Sequence, residues 1–448
     1  MLDPKAAQER CAAAIDLALK AGADAADAVA IGSSSEEVQV RLGKLEDVGR
    51  SESEELGLRV FVGQRSASIH ATDMSDAALA ELASRAVAMA KAAPEDEYAG
   101  LAPAELLAKG PFPELDLVDP SEPSPQELRR LAEEAEDAAR AVKGVTNSEG
   151  GGASFGRSAV ALATSHGFAG AYEATGISLS ASVLAGEGGS MQRDYEYRTV
   201  RHVADLLSPA EIGRIAGERA VARLNPGKMP SKGMSVVFDP RVGNSLLGHL
   251  IGAMSGPGIA RRSSFLLDRL EEQLFPADIL ILEDPHRPRG LRSRPFDGEG
   301  LPCAPRALVE NGRVTGWLTN AASARQLGIG LTGHAARGAS GAPGVQPSNV
   351  HLAPGKLSRA ELIADIEDGV LVTELIGMGV NGVTGDYSRG ASGYRIVKGE
   401  IAGPVAEFTV AGNLIDMFAR MSVADDLDIH RSMDAPTIRI EGMTVAGE

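Results

Sequence analysis

The chain has 448 residues, 44% of them hydrophobic, and its 61 Asp and Glu against 44 Lys and Arg give a net charge of −17. The length suits two or three domains with a sizeable core, and the acidic balance excludes the basic surface that a nucleic-acid partner requires. Two cysteines, Cys11 and Cys303, exclude a disulfide framework or a Cys-based zinc site, and the lack of any apolar run of about 18 residues excludes a spanning helix.

Asp3 and Pro4 form an N-cap and N1 pair, and no apolar leader surrounds them, so a cytoplasmic protein with no membrane contact is expected. They open an Ala-rich helix to about Ala21, stopped by Gly22. Strand-like runs follow at 28–31, 37–42, 56–62 and 66–70; in Val38-Gln39-Val40-Arg41-Leu42 the apolar residues alternate as in a half-buried strand. Ser75 caps a second helix to about Ala92. Residues 94–125, rich in Pro, Glu and Ala, form a connector. The capping box Ser124-Pro125-Gln126-Glu127 starts a helix to about Val142, strands are expected at 158–164, 177–185 and 192–200, and a second box, Ser208-Pro209-Ala210-Glu211, opens a helix to about Leu224. Helix, strands, helix therefore occurs twice, over about 1–95 and 120–225. This is the pattern of two similar α+β units packed as one N-terminal domain, 1–225.

Asn225 to Pro230 marks the domain boundary, and 231–448 reads as mainly β. A helix is expected from Arg241 to Met254. Its lone His249, among Leu246, Leu247, Leu250 and Ile251, reads as a satisfied core or interface residue. Hairpins are expected over 307–318, turning at Asn311-Gly312, and over 394–410, turning near Lys398-Gly399. Ser358 caps a helix up to Gly369, and a strand near 437–440 closes the chain. The fold class is thus α+β in two domains. Between strand-like runs at 370–376 and 394–397 lies the segment Gly377–Tyr394. Six of its first seventeen residues are glycine, where average usage predicts about one. It reads as an irregular, pinned loop in which backbone approaches something closely.

The catalytic patterns fail in context. No His-Glu-x-x-His occurs. Gly152-Ala153-Ser154-Phe155-Gly156 matches a nucleophile motif, but a strand rather than a helix follows it. Two Gly-x-Gly-x-x-Gly runs, at 328–333 and 377–382, are likewise not followed by the helix that would hold a dinucleotide phosphate. Asp425, Asp426 and Asp428 read as a solvated acidic surface.

Several long ordered segments carry a resemblance. Residues 372–375, 381–393 and 411–414, together with Ser264-Phe265-Leu266-Leu267-Asp268, Pro295–Gly300 and Thr332–Ala335, closely resemble the PmbA/TldE branch of the TldD/PmbA family, and the likeness runs over nearly the whole chain. The family implies a cytosolic metallopeptidase complex acting on unfolded proteins and peptides, linked to maturation of microcin-type peptides and degradation of small antitoxins. TldD-type subunits hold their metal on a His-Glu-x-x-x-His helix with a later cysteine as third ligand. The matching helix here puts Gly248 and Ala253 at the two histidine positions and His249 at the glutamate, and no cysteine follows Cys303. Gly and Ala carry no donor, so zinc cannot bind in that manner.

The resemblance therefore implies a non-catalytic subunit without a cofactor, zinc being expected only in a TldD-type partner. The expected assembly is a heterodimer with that subunit, with a homodimer possible for the chain alone, and the expected ligand is an unfolded peptide lying in a shared groove. Asp386, Tyr387, Ser388, Arg389 and Gly390 are the residues expected to touch substrate or partner. Two other readings stand beside this one: a homodimeric peptide-binding or scaffold protein with no protease partner, and a metal-free enzyme built from His249, Asp386 and Ser388.

Overall fold

A computed structural model describes residues 3–447. The first half runs α1 (Pro4–Lys20), β1 (Ala25–Arg41), β2 (Lys44–Val62), β3 (Arg65–Ala71), α2 (Asp76–Ala92), α3 (Pro125–Arg140), β4 (Val145–Thr164), β5 (Ala169–Ala185), β6 (Gln192–Val200) and α4 (Pro209–Ala222). The caps act as their chemistry dictates: Asp3, Ser75 and Ser124 each accept a backbone N–H of the first turn. Ser124 and Glu127 complete a reciprocal box, whereas Ser208 accepts from Glu211 N–H without the return bond.

The strands form one six-stranded sheet in the order β3-β2-β1-β4-β5-β6, so the two halves meet along the antiparallel β1–β4 pair, from Asp27↔Thr164 to Val40↔Gly151. Helices α1 and α2 bury an alanine-rich core on the first half, and α3 with α4 bury a second on the other. The strands are far longer than the runs read from sequence. β1 continues unbroken through Ser33-Ser34-Ser35-Glu36 and β4 through Gly150-Gly151-Gly152, where neither alternation nor β-propensity signals a strand. Ser154 thus lies inside β4, far from any strand-to-helix elbow.

The connector is pinned to the second half of the chain. Arg325 donates to the carbonyls of Tyr98, Gly100 and Leu101, and Ala108 N–H donates to Gly300 at 2.8 Å. Phe112, Phe168, Tyr172 and Phe296 cluster at this junction, with Phe168 and Phe296 edge-on at 4.9 Å. Beside them Asp27, buried, receives both Arg59 and Arg337, the latter at 3.1 Å.

The second half contains β7 (Lys232–Phe238), α5 (Pro240–Ala253), α6 (Gly256–Ala260), β8 (Ile281–Asp284), β9 (Arg306–Glu310), β10 (Arg313–Val314), α7 (Ala321–Leu327), β11 (Ala335–Ala336), β12 (Gly344–Val345), β13 (Asn349–Leu352), α8 (Arg359–Ile363), β14 (Asp368–Ile376), β15 (Asp386–Val397), β16 (Glu400–Asn413), α9 (Leu414–Ala419), β17 (Met421–Val423), β18 (Met433–Asp434) and β19 (Ile438–Ala446). Strands β16-β15-β14-β7-β19 pair in that order, and a further β16–β19 pairing closes them into a barrel. Both predicted hairpins form, and both turn on residues with positive φ, Asn311-Gly312 and Lys398-Gly399, which match the twist of the flanking strands. Two elements differ from the sequence reading. α8 ends at Ile363, and Gly369 already lies in β14; β15 begins at Asp386 and not near Tyr394, so the irregular loop is only 377–385. Among the described residues no helix is long and apolar enough to cross a membrane.

Candidate functional site

Helix α5 and the glycine loop, separate in sequence, face one another across a cavity of about 280 Å³. α5 starts where Asp239 accepts from Arg241 N–H at 3.0 Å, and its last turn is held by the Ser264 hydroxyl donating to Ala253 O at 2.7 Å. Leu246, Leu247, Leu250 and Ile251 bury one face of this helix in the core. Gly248, His249 and Gly252 are left on the cavity side, and a Cβ at Gly252 would meet nothing within 4 Å.

Backbone pins the loop opposite. Ser388 N–H donates to Gly379 O at 2.7 Å and Asn381 N–H to Asp386 O at 2.8 Å, while Phe265 N–H donates to Gly382 O at 2.9 Å. Gly379 shows why glycine is required: a Cβ there would lie 1.8 Å from the Ser388 carbonyl oxygen. Met378, at the loop's tip, is 90% exposed.

The pleat of β15 divides the sequence-predicted residues between two faces. Tyr387 is buried with its ring near His249, and Arg389 lines the cavity. Asp386 and Ser388 lie on the other face, exposed. Asp386 accepts from the Thr384 hydroxyl at 2.7 Å and from Asn413 at 3.2 Å, and these bonds hold its carboxyl below the usual range; it braces the loop. Gly390 pairs with Ile376 on β14 and Thr409 on β16. A catalytic set of His249, Asp386 and Ser388 is therefore not assembled.

His249 also differs from a satisfied core histidine. Its Nε2 is buried without a hydrogen-bond partner, and so are the Tyr387 hydroxyl and the Arg389 Nε. Burial, and then the Arg389 guanidinium, hold the imidazole below its ordinary value; burial pushes the Tyr387 phenol up. The cavity wall thus presents a neutral imidazole and a cation with unspent hydrogen-bonding capacity, while the Tyr387 phenol stays buried beside His249. Sequence reasoning missed Phe265, Met378, Val380 and Gly252 as lining residues; only the Gly-Met-Gly run hinted at Met378.

This set does not fit zinc. Gly248, Gly252 and Ala253 have no donor, the lining holds no carboxylate or thiol, and Arg389 places a positive charge beside the single imidazole. Cys303 is buried elsewhere, bonded to Gly333 O at 3.4 Å. Among the described residues no group of three or more His, Cys, Asp or Glu is placed to hold a metal ion.

Comparison with known proteins gives the family. The models for domain 1, the central domain and the C-terminal domain of PmbA/TldA metallopeptidases match residues 26–90, 118–224 and 231–447. The metalloprotease PmbA of Escherichia coli O157:H7 is 37% identical over 99% of this chain and 97% of its own, and the PmbA homolog of Haemophilus influenzae is 37% identical over 97% and 94%. A crystal structure of a Bacteroides thetaiotaomicron protein superposes with a TM-score of 0.91 at 26% identity, covering both chains completely. TldE from Thermococcus kodakarensis shares the fold at a TM-score of 0.86 and 22% identity, over 97% of this chain and 99% of its own. The chain belongs to the PmbA/TldD metallopeptidase family, with PmbA proteins among its relatives.

Proposed function

We propose that this chain is the non-catalytic subunit of a TldD/PmbA-type peptidase complex that degrades or processes unfolded proteins and peptides, microcin precursors and antitoxins among them. One observation carries the reading. At the helix position where TldD-type subunits hold metal, this chain has Gly248, His249 and Ala253, and the cavity beside them is lined by one imidazole, a guanidinium and no carboxylate or thiol. Such a site can hold a chain but cannot activate water by the metal route. The Arg389 guanidinium donates to peptide carbonyls, and His249 Nε2 completes the set. Contacts to backbone suit a substrate of varied sequence. The exposed Met378 beside them contributes apolar surface to the substrate groove or to the catalytic subunit.

Co-expression with a TldD-type subunit, followed by purification through a tag on this chain, tests the reading. The expected product is a heterodimer whose zinc belongs to the partner, with none bound by this chain alone. A chain that pairs only with itself when the TldD-type subunit is present favours the homodimeric scaffold instead.

A further inference from the structure

A separate cleft of about 390 Å³ opens where the end of β6, residues 287–291 and residues 428–431 meet. Five arginines line it, Arg198, Arg201, Arg287, Arg289 and Arg431, against the carboxylates Asp205 and Asp428. In a chain with 61 acidic and 44 basic residues this is a local reversal of sign.

The arginines divide by what already engages them. Arg289 is neutralised by Asp116 at 2.6 Å and Asp205 at 3.0 Å. Arg201 donates to the carbonyls of Thr175, Gly290 and Leu291 and so builds the wall. The other three are underused. Arg198 reaches Asp428 only at 3.7 Å, and its buried Nε has no partner. The side-chain hydrogen bond of Arg287 goes to His351 Nδ1 at 3.3 Å. The Arg431 guanidinium lies over the Tyr197 ring, 5.7 Å from its centroid. Among the described residues neither Arg287 nor Arg431 has a carboxylate at ion-pair distance. Burial, offset only in part by the nearby Asp434 and Asp284, holds the Arg287 guanidinium below its ordinary value. An arriving anion offsets the cost of that burial through charge-assisted, forked hydrogen bonds.

We propose that this cleft binds a small polyanion, its clustered phosphate or carboxylate oxygens gripped by Arg198, Arg287 and Arg431. The volume lies in the range of small-molecule sites, about 300–1,000 Å³, and the acidity of the whole chain opposes an extended nucleic acid. Phosphate and carboxylate share the geometry that a guanidinium recognises, and the probes separate them. The inference stands on the cleft alone and does not depend on the peptidase-subunit reading.

Calorimetric titration of the full chain with pyrophosphate, and separately with citrate, is the test. The expected result is saturable one-to-one binding of at least one probe, weakened about tenfold by Arg431→Ala and again by Arg287→Ala. Preference for pyrophosphate assigns a phosphate ligand, and preference for citrate a carboxylate one. Arg431 rests on a ring face rather than in an ion pair, so Arg431→Ala keeps the native melting temperature and decides the matter if Arg287→Ala fails to fold. Absence of binding by both probes at millimolar concentration, or binding that both substitutions leave unchanged, overturns the proposal.

Discussion

The imidazole of His249 meets the ring of Tyr387 edge-on, with centroids 6.0 Å apart and planes inclined at 73°. This contact joins the helix that follows β7 to the first residues of β15. It places His249 directly against the first residues of the glycine-rich segment that runs into β15. Neither polar tip of the pair has a hydrogen-bond partner, so the contact is one of packing.

The Tyr387 hydroxyl therefore adds nothing to the stability of the free chain. Tyr387→Phe keeps the ring against His249 and removes a buried, unpaired group, so it leaves stability unchanged or raises it by about 1 kcal/mol. In the complex the same change leaves peptide binding unchanged, because the hydroxyl lies buried outside the cavity lining. Thermal melts of the free chain and peptide affinity of the complex check the two halves; a melt lowered by the change shows that the hydroxyl is already bonded.

Two groups of residues tilt stability oppositely with pH. His249, His351 and His430 are all held below their ordinary 6.5, first by burial. As pH falls below that value the unfolded chain takes up protons that the folded chain refuses, so stability present above it is lost toward acid. Burial raises Glu299 to about 7 from its ordinary 4.5, so its contribution is present below that ordinary value and is lost as pH rises through about 7. Melting curves against pH should show a shallower acid loss for His249→Asn and a flatter neutral limb for Glu299→Gln.

Gly379 and Gly252 should respond differently to the same methyl group. Gly379→Ala drives a Cβ into the Ser388 carbonyl, breaks the loop's pin and costs more than about 2 kcal/mol. Gly252→Ala points a methyl into open cavity and gains up to about 1 kcal/mol from helix propensity. It also narrows the site, so peptide binding falls while stability does not. Urea denaturation of the two variants measures the contrast.

Asp27 is the acceptor shared by two buried guanidiniums, Arg59 and Arg337. Asp27→Ala removes the carboxylate they share where the two halves of the chain meet, leaving Arg59 only Glu299 at 3.7 Å and Arg337 only backbone carbonyls, at an expected cost of about 3–5 kcal/mol. Denaturation with intrinsic fluorescence of Trp317, and limited proteolysis around residues 337–345, measure it. A cost below about 1 kcal/mol means that water or Glu299 replaces the carboxylate.

Features set by near neighbours in the chain are readable from sequence. Asp3, Ser75, Ser124 and Ser358 identify helix starts, and Asn311-Gly312 and Lys398-Gly399 identify hairpin turns, because each bonds or bends within a few residues. The lengths of β1 and β4 are not readable, since Ser33–Glu36 and Gly150–Gly152 are held by partner strands rather than by a hydrophobic pattern of their own. The start of β15 is hidden for the same reason: Asp386–Gly393 looks irregular until its pairing with β14 and β16 is known. At the site, the resemblance to the family singles out Gly248, His249 and Ala253 as positions without a metal-ligand set. Only the fold places His249 against Tyr387 and sends Asp386 and Ser388 to the opposite face.

Hydrolysis of an unfolded protein substrate by the purified chain, alone and mixed with a TldD-type subunit, with and without a zinc chelator, decides whether the chain is catalytic. The expected result is no cleavage by the chain alone, cleavage by the mixture, and loss of that cleavage on chelation. Cleavage by the isolated chain that persists in the chelator would contradict the non-catalytic assignment.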